Sequence, residues 1–284
     1  MSQELNVLDA FISLFSGFPQ SPSLSLSSYK IIMLKPYSIA VKALLIIKHK
    51  IDIVVVGAND GMVNDPIYEF CMKNSDKSSI CLIEPNPTLI PYLRENYSSH
   101  PSHKIANCAV GKNGILTLYA IKEEFWQDFQ PDYAKGWPAY RAATGITSAS
   151  REHIEQALAS YPNINPEAAI VALDIPSKTL ETILLELNWQ IPIDVLQIDA
   201  EGHDDSVIYA SNLRLTKPAL IYFESRHIPA DRIQSLSAYL SSHNYRTYEI
   251  GGDTLAVDGR TNLLCVYLNG IVMFLAWAWK LLRR

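Results

Sequence analysis

Ile51-Asp52-Ile53-Val54-Val55-Val56-Gly57-Ala58-Asn59-Asp60-Gly61 is the stretch on which the fold class turns. A short run of mostly β-branched residues with little polar alternation reads as a strand buried on both faces, as in a parallel sheet. The glycines that follow permit a φ > 0 turn and let the backbone approach a ligand at the strand's carboxyl end. This is not a dinucleotide fingerprint, because Gly-x-Gly-x-x-Gly needs glycine where Asn59 and Met62 stand. Asn59 and Asp60 place polar acceptors where a pyrophosphate wants bare N–H groups, so a cationic, phosphate-free ligand fits the turn better.

Outward from this strand the same grammar repeats. Tyr37 to Lys50 suits a partly buried helix leading in, and a helix is predicted near Pro66 on the far side. Ser79 to Ile83 reads as a second strand, Glu84-Pro85-Asn86-Pro87 as a turn, and Thr88 to Tyr97 as a helix. His103 to Val110 is expected as a third strand, and Asn113-Gly114 signals a hairpin into Ile115 to Tyr119. From Ile121 to Ala169 the rhythm breaks into aromatics, charges and Pro/Gly, the profile of an inserted lid or substrate wall. It resumes with a helix expected over Pro176 to Asn188, a strand Ile193 to Ile198, and a helix Asp204 to Ser211. A strand Ala219 to Phe223, a helix Ala230 to Ser242, and a hairpin of Tyr245 to Ile250 with Asp253 to Val257 complete the pattern. Strands alternating with helices imply a doubly wound α/β sheet, mainly parallel, with an antiparallel terminal hairpin.

Composition narrows the partners. Lys and Arg number 24 against 29 Asp and Glu, a formal net charge of -5, so no global positive field exists to hold nucleic acid. The cysteines Cys71, Cys81, Cys108 and Cys265 show no zinc spacing, which fits a reducing, cytoplasmic compartment. No basic n-region precedes the apolar stretch near the N-terminus, so no cleaved leader is expected.

Two acidic features sit where an α/β sheet binds ligands, at the carboxyl ends of strands. Glu84 closes the second strand and can accept both hydroxyls of a ribose, or else cap the helix after Pro87. Asp199-Ala200-Glu201-Gly202-His203-Asp204-Asp205 packs five ionisable groups around a tight turn. Asp204 and Asp205 suit a helix N-terminus, whereas Asp199 and Glu201 do not, and such a cluster should titrate abnormally. Glu224 and His227 fall in the same crevice, a lone histidine of this kind being more often a surface or turn residue.

Taken together, Val-Val-Gly-Ala-Asn-Asp-Gly (55–61), Ile-Glu-Pro-Asn-Pro (83–87), Asn107-Cys-Ala-Val-Gly111, Ser-Lys-Thr-Leu-Glu-Thr (177–182), Gln197-Ile-Asp-Ala-Glu-Gly-His-Asp204 and Phe223-Glu224 resemble the FkbM-type S-adenosylmethionine-dependent methyltransferases. The resemblance implies a class I methyltransferase, Rossmann-like fold with a seven-stranded sheet, and methyl transfer usually to a hydroxyl oxygen of a sugar or natural product. It implies cofactor contacts from Gly57, Asn59, Asp60 and Gly61 at the methionine end and Glu84 at the ribose. It also implies Asn107 and Ala109 beside the adenine, and Asp199 toward the ammonium or the substrate. Three positions depart from the family pattern: Asp60 where an apolar residue is common, Gln197 where Lys is usual, and Asp204 where Glu is frequent. For proton removal from the acceptor, Glu201 and His203 are the expected bases with Asp199 orienting. A divalent cation bridging substrate hydroxyls is conceivable, but no ligand set follows from the sequence and none is assigned.

The expected organisation is an N-terminal arm (1–36), a methyltransferase domain (37–257) with an insertion or lid at 121–169, and an apolar C-terminal tail (258–284). Leu263 to Trp279 carries no charge and ends beside Trp277, Trp279, Lys280 and two arginines, the composition of an interfacial membrane anchor. A final strand followed by a docked helix is the alternative. Two other functional classes remain open at this point, an NAD-dependent oxidoreductase and a noncatalytic membrane-tethered module. Titration with each cofactor separates them.

Overall fold

A computed structural model of the chain describes residues 35–261. The expected N-terminal arm lies almost wholly outside these residues, as does the apolar run 263–279.

The strand read first is β1 (Ile51–Val56), and it lies in the interior of a seven-stranded sheet. Parallel to it run β2 (Ser78–Ile83) and β3 (His103–Ala106) on one side. On the other side lie β7 (Val195–Ile198) and β8 (Leu220–Glu224), also parallel. The hairpin of β9 (Tyr245–Ile250) and β10 (Asp253–Asp258) closes the sheet antiparallel, giving the order β3-β2-β1-β7-β8-β10-β9. This is the strand order of the class I methyltransferase fold that the sequence resemblance implied.

Both faces are covered, which is why β1 lacks polar alternation. Ile51, Ile53 and Val55 point to one core together with α1 (Lys35–Lys48), α2 (Tyr68–Lys73) and α3 (Ile90–Asn96). Val54 and Val56 point to the other, against α7 (Leu180–Glu186), α8 (Asp204–Tyr209), α9 (Leu213–Thr216) and α10 (Ala230–Ser242). In α1, Tyr37 is fully buried and stacks on Tyr222 of β8 with ring centroids 4.1 Å apart. Burying each such large apolar side chain stabilises the fold by about 1.5–3 kcal/mol.

Two expectations are corrected. The third strand does not run unbroken from His103 to Val110: after β3 the Asn107 side chain donates to the Glu84 and Pro85 carbonyls. The chain then leaves for a second, three-stranded sheet as β4 (Ala109–Val110). Nor does a helix begin at Pro176. Residues Ile170–Lys178 form β6, the middle strand of that small sheet, with β5 (Gly114–Ile121) antiparallel to it. Pro176 falls just before the pairing with β4 begins at Ser177, so the donor it lacks is not needed there. The helix waits for Thr179, whose Oγ1 accepts from Thr182 N.

The span between β5 and β6 is more ordered than an irregular insertion. It holds α4 (Ala139–Thr144), α5 (Arg151–Leu158) and α6 (Pro166–Ala169), built round a small core that includes Phe129, Ile146, Ile154 and Leu158. Among the described residues, no helix is long and apolar enough to cross a membrane.

Candidate functional site

Register brings the candidate residues into one row. Val56 lies opposite Ile83 and Ile198, and Ile198 opposite Phe223. The residues that follow, Gly57, Glu84, Asp199 and Glu224, therefore line the carboxyl edge of four adjacent strands. Asp253, which opens β10, pairs with Glu224 and extends the row.

At one end the Glu84 carboxylate, 5% exposed, accepts from Asn59 N at 2.8 Å and from Asn86 N at 2.7 Å. Burial pushes its pKa up to about 7, against the pull of those two N–H donors and of Arg141. Asn59 takes the left-handed φ of +51°. Its Oδ1 accepts from Asp60 N and from Thr144 Oγ1 of the insertion.

The glycines serve packing inside the protein. A Cβ on Gly57 (φ +75°) would sit 1.9 Å from the Asp199 carbonyl oxygen, and one on Gly61 (φ +71°) 2.7 Å from the Tyr97 ring. The first turn can approach β7 this closely because it carries no side chain there. Asp60 is fully buried and its carboxylate is occupied: Oδ1 accepts from Met62 N and Val63 N, Oδ2 from Tyr140 Oη. Asp60 is thus placed at the site, but holds the turn and the insertion together. Asn107 bridges two carbonyls beside Glu84, and Ala109 is buried in β4.

At the centre, Asp199 is solvent-accessible yet deeply surrounded by protein, the environment of a cleft floor. Desolvation and then the Glu224 charge raise its pKa to about 6, with Arg141 opposing. Glu201, at a left-handed φ of +47°, is pushed well above the carboxylate range by burial and by Asp199, Glu224 and Asp204. Asp204 is raised to about 8, chiefly by burial; its oxygens accept from Ala200 N and Glu224 N. It acts as a staple between the ends of β7 and β8.

Of the two expected bases, the structure brings Glu201 to Asp199 and gives His203 other company. Its nearest charges are Arg232 and Asp205, and burial lowers its pKa. Arg232 grips Asp205 through two nitrogens. The imidazole facing the acids is His227, whose Nδ1 lies 2.9 Å from Glu224 Oε2. Sequence reasoning counted Tyr140 only among the aromatics of the insertion, and missed Arg141 and Thr144 altogether. Arg141, 9% exposed, is a buried cation beside the row; its Nε donates to Val63 O, and its guanidinium lies 5.4 Å from the centroid of Trp137. Only the Trp137/Arg141 spacing, one helical turn, hints at it.

A comparison with protein families matches the Methyltransferase FkbM domain over residues 56–247. The chain belongs to the FkbM methyltransferase family. A search of curated proteins gave no match. Among solved structures, human methyltransferase-like protein 13 in complex with SAH is 12% identical, with 83% of this chain and 88% of that chain covered at a TM-score of 0.41. A precorrin-6y C5,15-methyltransferase from Geobacter metallireducens GS-15 is 10% identical, covering 85% and 93% at a TM-score of 0.36. Such values carry no weight beside the strand order and the family match.

S-adenosylmethionine is the cofactor of this FkbM domain, and the residues fit it. Glu84 offers a buried carboxylate to a ribose diol, and the acid-rich floor suits a ligand whose reacting end is a sulfonium with an ammonium nearby. The departures from the family pattern are accommodated. Gln197 is buried between Tyr37 Oη, from which it accepts, and Asp65, to which it donates. Asp60 has its own phenol partner in Tyr140.

Proposed function

We propose that this methyltransferase acts on a hydroxyl oxygen of a sugar or sugar-bearing natural product, with Asp199 taking the proton. The observation that carries the reading is the row Gly57, Glu84, Asp199, Glu224 on one sheet edge. It sets a ribose-binding acid beside an ionisable carboxylate, with further acids beyond.

The bound cofactor supplies an electrophilic methyl group on sulfur. The chain must align the acceptor oxygen about 3 Å from that carbon, exclude water and remove a proton. The Asp199 carboxylate would take the hydroxyl proton of the acceptor, while the bound cofactor would supply the methyl group and its sulfur would keep the electron pair of the bond given up. Asp199 is favoured over Glu201 because it stands in the row beside Glu84 and its pKa of about 6 leaves it ionised at neutral pH, whereas burial and three neighbouring acids push the Glu201 carboxyl well above its ordinary value. This exchanges the roles expected from sequence.

The insertion is the lid in this reading. Tyr133 and Trp137 stand edge to face, centroids 6.0 Å apart, and Tyr133 lies near Glu201. Aromatic faces there suit the C–H faces of a sugar. The tail beyond residue 262, judged on sequence alone, brings a cytoplasmic enzyme to a membrane surface.

Labelled methyl transfer to a panel of glycans and polyols tests the reading. Hydroxyl acceptors should be labelled, and Asp199→Asn should lower kcat by about 10²–10⁴-fold with S-adenosylhomocysteine affinity retained. Labelling of amines or carbon but of no hydroxyl would remove the O-methyl assignment.

A further inference from the structure

We infer that Glu201, Glu224 and His227 form a divalent-cation site on the acceptor side of the cleft, where a bound ion holds the acceptor hydroxyl. One ligand atom from each residue, two carboxylate oxygens and an imidazole nitrogen, can be chosen so that all lie within 4.8 Å of one another. In a six-coordinate ion with bonds of about 2.1 Å, neighbouring ligands stand about 3 Å apart and opposite ones about 4.2 Å. The three atoms are therefore within small side-chain adjustments of a common coordination sphere. Glu224 Oε2 and His227 Nδ1, at 2.9 Å, already have the spacing of adjacent ligands.

A hydrogen bond between Glu224 and His227 accounts for those two alone. It leaves Glu201, whose carboxylate has no hydrogen-bond donor among the described residues although it is only partly exposed. The charges of Asp199, Glu224 and Asp204 bear on it unfavourably, with Arg141 opposing. A cation satisfies all three ligands at once and relieves that repulsion.

The surroundings position the ligands. Arg226 Nε holds Glu224 Oε1 at 2.8 Å, which leaves Oε2 turned to His227. Gly202, at φ +86°, packs against the His227 main chain, where an added Cβ would stand 3.3 Å from the carbonyl oxygen. That close approach fixes the Glu201 turn beside residue 227. Arg226 N and Ser225 N both donate to Gly252 O, anchoring the second loop to the terminal hairpin.

Two carboxylates with one imidazole suit Mn²⁺ or a similar first-row divalent ion, three ligand positions remaining for water or substrate hydroxyls. A hydroxyl bound there is acidified, which eases its proton loss to Asp199. This role rests on the O-methylation reading; the site itself does not.

Mn²⁺ binding to the full chain, followed by electron paramagnetic resonance and calorimetry at pH 7.5–8, tests the site. One saturable Mn²⁺ per chain is expected. His227→Ala and Glu224→Gln should each weaken it at least tenfold, while S-adenosylhomocysteine still binds and certifies the fold. His227 is half-exposed, so its removal leaves the core untouched. No saturable Mn²⁺ in the wild-type chain, or unchanged affinity in both variants, would overturn the site. Mn²⁺ bound as expected but without effect on transfer to hydroxyl acceptors would keep the site and remove its catalytic role. Loss of transfer with Mn²⁺ intact in Asp199→Asn bears on the base alone.

Discussion

Tyr140 Oη, on the insertion, donates to Asp60 Oδ2 in the turn after β1 at 2.9 Å. With Thr144 Oγ1 on Asn59 Oδ1 it ties α4 to the turn that follows β1. The insertion and the first turn are thus coupled through two side chains. Tyr140→Phe deletes a hydrogen bond to a buried carboxylate, a loss of about 1.5–3 kcal/mol in stability. Amide exchange over residues 139–144 should quicken in this variant, and S-adenosylhomocysteine should slow it less than in the wild type. Identical exchange in both proteins, with and without ligand, would show the coupling to be inert.

Gly57 has no room for a methyl group. Alanine there would have to adopt φ +75° and place its Cβ 1.9 Å from Asp199 O. Either the turn moves or β7 retreats, and both displace Asp199 from Glu84. Gly57→Ala should cost at least about 3 kcal/mol, combining the left-handed penalty with the clash. Urea unfolding and ligand calorimetry check this together; a variant of wild-type stability and affinity refutes the packing argument.

If Glu84 holds the ribose, as proposed, cofactor binding should be proton-linked. Its pKa in the ligand-free protein is about 7, raised by burial. Ribose hydroxyls in that reading would donate to the ionised carboxylate, so binding would lower that pKa and the complex would hold fewer protons than the free protein. Binding should release protons near pH 6.5–7 and tighten as pH rises through that window, levelling off above it. Calorimetry in buffers of different ionisation enthalpy measures the release. Glu84→Gln should abolish it and weaken binding by about 1.5–3 kcal/mol. Equal proton release in wild type and variant would place the linkage elsewhere.

The same raised values set the pH response of the ligand-free fold. Asp65 and Asp199 titrate near 6, Glu84 near 7 and Asp204 near 8, each above its ordinary value chiefly through burial. A carboxylate whose folded pKa is raised binds more protons folded than unfolded, so stability falls as pH climbs from about 4 to about 8. The melting temperature should be higher at pH 6 than at pH 8, and the gap should narrow in Asp204→Asn. A melting temperature that rises with pH across this range would contradict the sign.

What the sequence disclosed follows from what local pattern encodes. Apolar runs such as Ile51 to Val56 and Leu220 to Phe223 show burial on both faces, so the parallel sheet was legible. The placement of Glu84, Asp199 and Glu224 at the carboxyl edge was legible too, because each directly closes or follows an apolar strand run. The divided third strand was not legible, since Asn107 turns the chain by bonding carbonyls distant in sequence. Pro176 misled because Pro opens helices far more often than it sits in strands. Tyr140 and Arg141 reach the site only through tertiary contact, and His203 and His227 differ only in which way their loops face.

The tail gives the last expectation. All seven strands of the large sheet are in place by Asp258, where Arg260 pairs back onto its carboxylate. The strands that carry Glu84 and Asp199, and their paired neighbours, all lie among the described residues before that point. Leu263 to Trp279 is uncharged and is followed by Lys280, Arg283 and Arg284, a composition that lies well in a membrane interface with tryptophans at headgroup level. Deleting residues 262–284 should leave a folded protein that binds S-adenosylhomocysteine as before but no longer pellets with vesicles containing anionic lipid. The full chain should pellet, and salt should weaken it only in part, because buried apolar area is insensitive to screening whereas the cations are not. A truncated chain that is insoluble or cofactor-blind would assign the tail to the core, and a full chain that ignores vesicles would remove the membrane role.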